Sequence, residues 1–316
     1  MEPTTLTSQP DVQASAPTVR VSLSRVGVTG VEKVIRIGAG DGHPQLFSAR
    51  LECFVDLGPK QKGAHMSRFE EVVNDVIGEV ILGETGFKAE QLAQRIAERV
   101  RERQDALRAE VTIAARFPER RPAPVSGTPT QEISTLHAAA LASERGTRRM
   151  VGVSAQGITT APRAQRVLAA DARERLAAEG FSDAEIAQVL DRVPVATHDQ
   201  RGTGTLKLEC PEDCAFVFDV PALLAIVEGA MSSEIFELMK RSDEGAVVER
   251  AHRRPRTPAD CVAAMIAGAV ERFAELPDAA VVSARQESFE TVHRHCVTAE
   301  RTDRLGALRG ELKGTR

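Results

Sequence analysis

The sequence predicts an α+β protein in which antiparallel sheets are covered by helices on one face. Two stretches alternate with a period of two. Ala49, Leu51, Cys53, Val55 and Leu57 stand against Arg50, Glu52, Phe54 and Asp56; Leu107, Ala109, Val111, Ile113, Ala115 and Phe117 stand against Arg108, Glu110, Thr112, Ala114 and Arg116. Alternation over this length marks a half-buried antiparallel strand. Between them the period changes: Phe69, Val72, Val73, Val76, Ile77, Val80 and Ile81 fall at helical spacing. The same mixture of strand-like and helix-like runs then returns, with variations, in the second half of the chain.

Taken in order, residues 1–18 are rich in Pro, Ser, Thr and Gln and read as a flexible arm with no fold of its own. Strand-like sequence begins at Val19, so residues 19–120 form a first module of strand, strand, helix, a second helix over 88–104, and strand. "PERRPAPVSGTPT", 118–130, is proline-rich and reads as a linker. A helix over 130–144 follows, making 121–144 linker and helix. Residues 145–316 read as a second module. Its strand at 148–157 leads to helices over 163–179 and 183–191, and Leu206, Leu208 and Cys210 mark another strand. Helices over 220–240 and 257–274 precede a last strand, 278–286. The halves look like divergent copies of one sheet-plus-helix-pair unit, and exposed sheet edges favour oligomerisation.

Composition narrows the function. The 316 residues are 42% hydrophobic and 27% charged, enough for one large or two medium domains with a real core. The net charge is −4, Trp and Tyr are absent, and no basic stripe interleaves with aromatics. That excludes base-stacking nucleic-acid binding but leaves room for a small phosphorylated ligand. Five cysteines are too few and too odd in number for a disulfide scaffold. Cys210 and Cys214 form C-x-x-x-C with no second pair, a weak zinc signal beside the plainer reading of buried or loop thiols. With no signal pattern and no apolar run of spanning length, the expectation is no membrane and a reducing, cytoplasmic setting.

Three stretches concentrate polar residues. In "KGAHMSRFEE", 62–71, His65 and Arg68 flank a helix start, which suits an anion and equally suits a solvated helix end. In "VATHDQRGTGTLKLE", 195–209, His198 precedes a Gly-rich turn that is not a complete phosphate-loop signature, and a lone His is often structural. In "RQESFETVHRHC", 285–296, Glu290, His293 and His295 crowd at a strand end. Glu-x-x-His on a helical turn sets a carboxylate beside an imidazole, able to orient a base or hold a metal; a surface turn is the other reading.

Together "QPDVQ", "RVGVTGVEKVIRI", "KGAHMSRFEE", "PVSGTPTQE", "VPVATHDQRGTGTL", "SSEIFELMKRSDEGAVVERAH" and "QESFETVHRHCVTAERT" resemble the GTP cyclohydrolase IB family, nearest its archaeal-type MptA-like branch, from about residue 9 to 313. The resemblance implies a tunnelling fold (T-fold) with two tandem modules per chain. It also implies a homo-oligomer, most simply a tetramer, with sites at subunit interfaces. The family opens the imidazole ring of GTP, releases formate and recloses a pterin ring, using a divalent metal that activates water. Its ligand histidine falls on His198 and its ligand glutamate on Glu234. Its guanine-anchoring glutamate falls on Glu249, its second acid and acid/base histidine on Glu290 and His293, and its GTP-contacting helix start on His65 and Arg68.

One stretch departs from the family. "TTAPRAQ", 159–165, matches the loop T-T-C-P-C-A-Q with both cysteines gone. Ala161 replaces the first and Arg163 replaces the ligand; Gln165 is retained and is expected, with Arg163, among the substrate-binding residues. A guanidinium stays protonated, has no lone pair to give and repels a dication. Cys296 is the candidate replacement thiolate. The departures imply no resident cofactor, or at most a weakly held zinc or iron. They fit an enzyme on a small heterocyclic or nucleotide substrate, with His198, Glu290 and His293 doing acid/base work. A cyclohydrolase with a rearranged metal site and a non-catalytic binding homologue are the alternatives.

Overall fold

The computed structural model describes residues 17–38, 44–82, 88–212 and 214–314. Residues 1–16 of the expected arm, with the "QPDVQ" motif, lie outside them. The chain folds as two compact units, the first comprising residues up to Ala115 with Ala138–Met150, the second Arg116–His137, Val151–Cys210 and the chain from Cys214 on.

In the first unit β1 (Leu23–Gly38) pairs antiparallel with β2 (Pro44–Leu57). After α1 (Met66–Leu82) and α2 (Ala89–Gln104), β3 (Arg108–Pro122) pairs antiparallel with β2, Leu51 opposite Ile113 and Cys53 opposite Val111. The period-two reading holds: Ala49, Leu51, Cys53, Val55 and Leu57 are buried, as are Ala109, Val111, Ile113 and Ala115. Leu107 is exposed, because it precedes β3. Phe69, Val72, Val73, Val76 and Ile77 from α1 meet Leu92, Ala93, Ile96, Ala97 and Val100 from α2 in the core. Each such large side chain contributes about 1.5–3 kcal/mol on burial. Helix α2 ends on Asp105, whose φ of 51° is tolerated because Asp can bond its own backbone locally.

The expected linker and helix over 118–144 are both corrected. Strand β3 runs on to Pro122, a tight turn closes with Ala123 N–H donating to the Thr128 carbonyl, and β4 (Pro129–Ser143) returns as its hairpin partner. Pro122 and Pro129 sit at strand ends and Pro124 in the turn, where no ladder donor is needed, while Pro118 lies within β3. "STLHAAALAS" suggested a helix because alanine favours one. Yet Ser134, Leu136, Ala138, Ala140 and Ala142 are buried in strict alternation, and burial on a sheet face overrides local propensity. The turn is pinned from afar: Asp243 accepts from Val125 N–H, Ser126 N–H and the Ser126 hydroxyl, at 2.8, 2.7 and 2.7 Å, and also from Lys240 N–H. Burial alone would raise the Asp243 pKa; the hydroxyl and amide donors hold it below the usual carboxylate range instead.

From β5 (Gly146–Thr160) onward come α3 (Pro162–Ala178), α4 (Asp183–Arg192), β6 (Asp199–Cys210), α5 (Val220–Ala230), β7 (Ser233–Glu234), α6 (Arg241–Arg253), α7 (Pro258–Arg272), β8 (Val281–Phe289), β9 (Cys296–Arg304) and α8 (Leu305–Leu312). Within the second unit β6 neighbours β5, β8 pairs antiparallel with β6 and with β9, and β7 pairs antiparallel with β5. The expected helix over 220–240 stops at Ala230, because Met231 turns extended to start the β7 pairing. The strand expected last, β8, is followed by β9 and α8. Helices α5 and α7 cover the sheet through Leu223, Leu224, Val227, Met265, Ile266 and Ala269, all buried. Cys210 and Cys214 bond to each other through their sulfurs rather than forming half of a metal site. Among the described residues no helix is long and apolar enough to cross a membrane.

One buried titratable group makes a testable statement. His137 Nε2 shares a 2.8 Å hydrogen bond with Ser154 Oγ, which bonds Thr205 Oγ1 at 2.7 Å. Burial, with Lys207 nearby, pushes its pKa down to about 4. An unfolded chain takes up that proton near pH 6.5. The folded chain resists until about pH 4, so stability falls as pH drops across this window. The loss amounts to on the order of 3 kcal/mol. Urea unfolding at stepped pH should show it, and His137→Gln should flatten the slope there; an unchanged slope would remove His137 as its source.

Candidate functional site

A cavity of about 730 Å³ opens in the second unit, where β5 gives way to α3, ahead of β6 and beyond the end of β8. Its wall is built on paired strands. Thr159, on β5, shares a 2.8 Å hydrogen bond with Ser288 on β8. The Gln200 amide nitrogen, on β6, donates to Thr159 Oγ1 at 3.2 Å and to Glu290 Oε1 at 3.4 Å. Its carbonyl therefore faces His198, with Nδ1 3.1 Å away. A carbonyl only accepts, so Nδ1 carries the proton and Nε2 keeps its lone pair. Turning the amide over would set an oxygen against the Glu290 carboxylate. Glu290 Oε2 lies 3.8 Å from the same Nδ1, and the Glu290 side chain is only 8% exposed.

The glycines of "RGTGT" serve this network. A Cβ on Gly202 would lie 2.5 Å from the Gln286 amide nitrogen, and one on Gly204 would lie 2.8 Å from Val227 Cγ1 and 3.0 Å from Gln286 Oε1. They make room for a buried cross-strand glutamine rather than cradling a phosphate. His293 and His295 stack with ring centres 5.0 Å apart on the segment between β8 and β9, exposed at the cavity rim. That segment is a series of bends, which corrects the helical turn expected for Glu-x-x-His: Phe289 and Cys296 are already paired across β8 and β9, leaving six residues to reverse direction.

The loop with the lost cysteines forms the entry to α3. Ala161 N–H donates to the His198 carbonyl, and the Thr197 hydroxyl donates to the Ala161 carbonyl, so 197–198 and 161 hold each other. Arg163 lines the cavity and is exposed, with no ion pair or hydrogen bond among the described residues. Gln165 is committed elsewhere: its amide nitrogen donates to the Val195 and His252 carbonyls, at 3.0 and 2.7 Å.

The structure does not gather the remaining expected residues into this cavity. Glu234 accepts from Arg250 at 2.6 Å and is not part of the wall. Glu249 pairs with Arg253 at 2.8 Å and lines a separate depression of about 610 Å³ with Arg192, Arg241 and Glu244. His65 and Arg68 belong to the first unit. There Gln104 bonds the His65 backbone and Arg68 donates to the Arg103 carbonyl. Cys296 is exposed and lies between wall residues His295 and Val297 without joining the wall. Among the described residues no three His, Cys, Asp or Glu side chains are placed to share a metal ion. His198 Nε2 keeps a lone pair that could ligate, but with Glu234 paired to Arg250 and a guanidinium at 163 this donor set does not fit a catalytic zinc or iron, which needs about three protein ligands.

Sequence reasoning missed Gln200, Thr159, Thr160, Ser288 and Arg256. Gln200 was signalled by phase: it occupies the buried side of β6 with Gly202, Gly204, Leu206, Leu208 and Cys210. A polar residue in an apolar register has a partner to find.

The sequence profile of the family described as "Type I GTP cyclohydrolase folE2" matches residues 9–299. The chain is 39% identical over 309 residues to "GTP cyclohydrolase MptA" of Methanococcus aeolicus, covering 96% of this chain and 99% of that one. It is 37% identical over 312 residues to the protein of the same name from Methanosarcina mazei, covering 96% and 97%. Among solved structures, the uricase from Arthrobacter globiformis superposes with a TM-score of 0.50 at 9% identity, over 89% of this chain and 93% of that one. That likeness concerns the fold alone, and it agrees with the tunnelling fold expected.

Proposed function

From the premise that this chain belongs to the type I GTP cyclohydrolase folE2 family, we propose that it is a divergent cyclohydrolase-like enzyme. It acts on a purine nucleotide or related nitrogen heterocycle by hydrolytic or ring-rearranging acid/base chemistry, without a strongly held metal. The observation that carries the reading is the His198–Gln200–Glu290 network in the wall of a cavity whose loop presents Arg163 in place of a thiolate. Polar groups are costly to bury unless they bond, and this set is bonded internally while leaving one imidazole nitrogen unspent.

In this reading the Nε2 of His198 takes a proton from the attacking water, and Gln200 fixes the ring so that the lone pair stays there. Glu290 stabilises the imidazolium that results. His293, at the rim, delivers a proton to the departing ring nitrogen. Without a metal to depress the pKa of water, such a site suits a substrate more electrophilic than the C8 of GTP. Glu249, His65, Arg68 and Gln165 enter the reading only through the resemblance. So do the homotetramer and the cytoplasmic setting.

The test combines elemental analysis of the purified protein with turnover of GTP and of a panel of purine and pyrimidine derivatives. The expected result is little zinc or iron, no fluorescent pterin from GTP, and formate or ammonia release from another heterocycle that survives a chelator. About one zinc per chain with GTP turnover overturns the reading, and ligand-induced thermal shift with no turnover at all replaces it with a binding protein.

A further inference from the structure

The cavity wall is lopsided in charge. Arg163, Arg166 and Arg256 line it together with His198, His293 and His295, and Glu290 is the one carboxylate among them. Arg256 is anchored, its Nη1 donating to the Ala230 carbonyl at 2.9 Å. Arg163 and Arg166 make no ion pair or hydrogen bond among the described residues. Free guanidinium groups around a concave wall create a local positive potential that selects anions.

The backbone points the same way. Helix α3 is 17 residues long and begins at this wall, yet its N-cap is Ala161, with no side-chain cap and no acidic residue in the first turn. Pro162 at the first position has no N–H to satisfy, so the donors left over are those of Arg163 and Ala164. A helix start left without a carboxylate or hydroxyl cap keeps its positive end for an external anion. An independent sign comes from Thr160. This wall residue is fully buried, and its hydroxyl has no hydrogen-bond partner among the described residues. Buried hydroxyls without partners are rare and call for an explanation.

We propose that the start of α3, with Thr160, Arg163 and Arg166, forms an oxyanion subsite that holds a phosphate or carboxylate of the substrate beside the His198–Glu290 pair. The substrate is then an acidic heterocycle, with its anionic group where the family loop presents a thiolate. This rests on the reading of the cavity as an active site and narrows its substrate class. The anion anchors one end of the substrate and leaves the opposite end against His198.

Calorimetry at matched ionic strength tests it, with sodium chloride as the control. One arm uses inorganic phosphate and pyrophosphate; the other uses acetate and a pyrimidine carboxylate. The arm that binds more tightly identifies the oxyanion. Arg163→Ala should weaken that binding by about tenfold, and the double change with Arg166→Ala by about a hundredfold. Arg163→Lys should recover part of the loss, and Thr160→Val, nearly equal in volume, should weaken it a few-fold with an unchanged melting temperature. Glu290→Gln should tighten anion binding by removing the one opposing charge, while lowering turnover by about 10²–10⁴-fold. No oxyanion binding above the chloride control, or equal binding by the double variant, overturns the subsite. The two readings fail separately. Oxyanion binding lost in the double variant, with no heterocycle turned over by the parent, keeps the subsite and removes the catalysis. Turnover indifferent to Arg163→Ala and Arg166→Ala does the reverse.

Discussion

Glu290→Gln should lower turnover of the heterocyclic substrate by about 10²–10⁴-fold, the range for a positioned acid/base group. The substitution keeps the shape and removes only the charge and one acceptor. In the parent, Glu290 accepts from Gln200 and stands 3.8 Å from the His198 ring. A glutamine there must present either an amide nitrogen to the Gln200 nitrogen or an oxygen that no longer carries charge. The imidazolium formed when His198 takes a proton would then lose its counter-charge inside a wall that is mostly shielded from water. The loss should fall on kcat with little change in melting temperature. A variant that keeps more than about a tenth of parental kcat would remove Glu290 from the acid/base role.

Gly27→Ala should be the most damaging small substitution in the first unit. A Cβ there would sit 1.8 Å from the Cys53 carbonyl oxygen and 2.8 Å from Phe54 Cα, both backbone atoms of the neighbouring strand. No rotamer relieves a clash with backbone, so β1 and β2 must part around the Val26–Val55 and Val28–Cys53 pairs. Overpacking of this kind costs about 3 kcal/mol, sometimes more. Against a total of about 5–15 kcal/mol that is a large share. Differential scanning calorimetry should show the midpoint fall by about 5–10 °C. Gly127, at φ +65° in the β3–β4 turn with no neighbour within 4 Å of its Cβ, is the useful contrast, losing through backbone conformation alone. An alanine at 27 that leaves the midpoint unchanged would mean that β1 and β2 do not pair in this register.

Legibility in the sequence followed how local the governing physics was. Strands β2 and β3 were readable because alternation is written in neighbouring residues. Helices α1 and α2 were readable for the same reason at period 3.6. Strand β4 was hidden because its buried positions are Ser, Leu and Ala, whose small size gives weak contrast and whose local preference is helical. The β7 pairing was hidden because two residues, Ser233 and Glu234, form it with a strand some seventy positions earlier. Of the residues the resemblance names, His198, Glu290, His293 and Arg163 line one cavity wall. Gln165, Glu234 and Glu249 lie off that wall, and nothing local in the sequence says so. Each is engaged by a partner or packed on an element whose position depends on long-range folding.

The tie between the β3–β4 turn and Asp243 also has a meaning in time. Joining Ser126 to Asp243 closes a loop of 117 residues, which costs about 4 kcal/mol of chain entropy before any bond repays it. Strands β5 and β6, with the wall they carry, lie inside that loop. A tie that closes so long a loop is expected to form after they have condensed and to add little at the folding barrier, so Asp243→Asn should raise the unfolding rate in stopped-flow measurements while leaving the folding rate unchanged. Interactions that appear only beyond the barrier leave the folding rate alone and slow the reverse step. On that expectation Asp243 is a latch: it governs how long the finished wall persists, while the strands themselves govern how fast it is made.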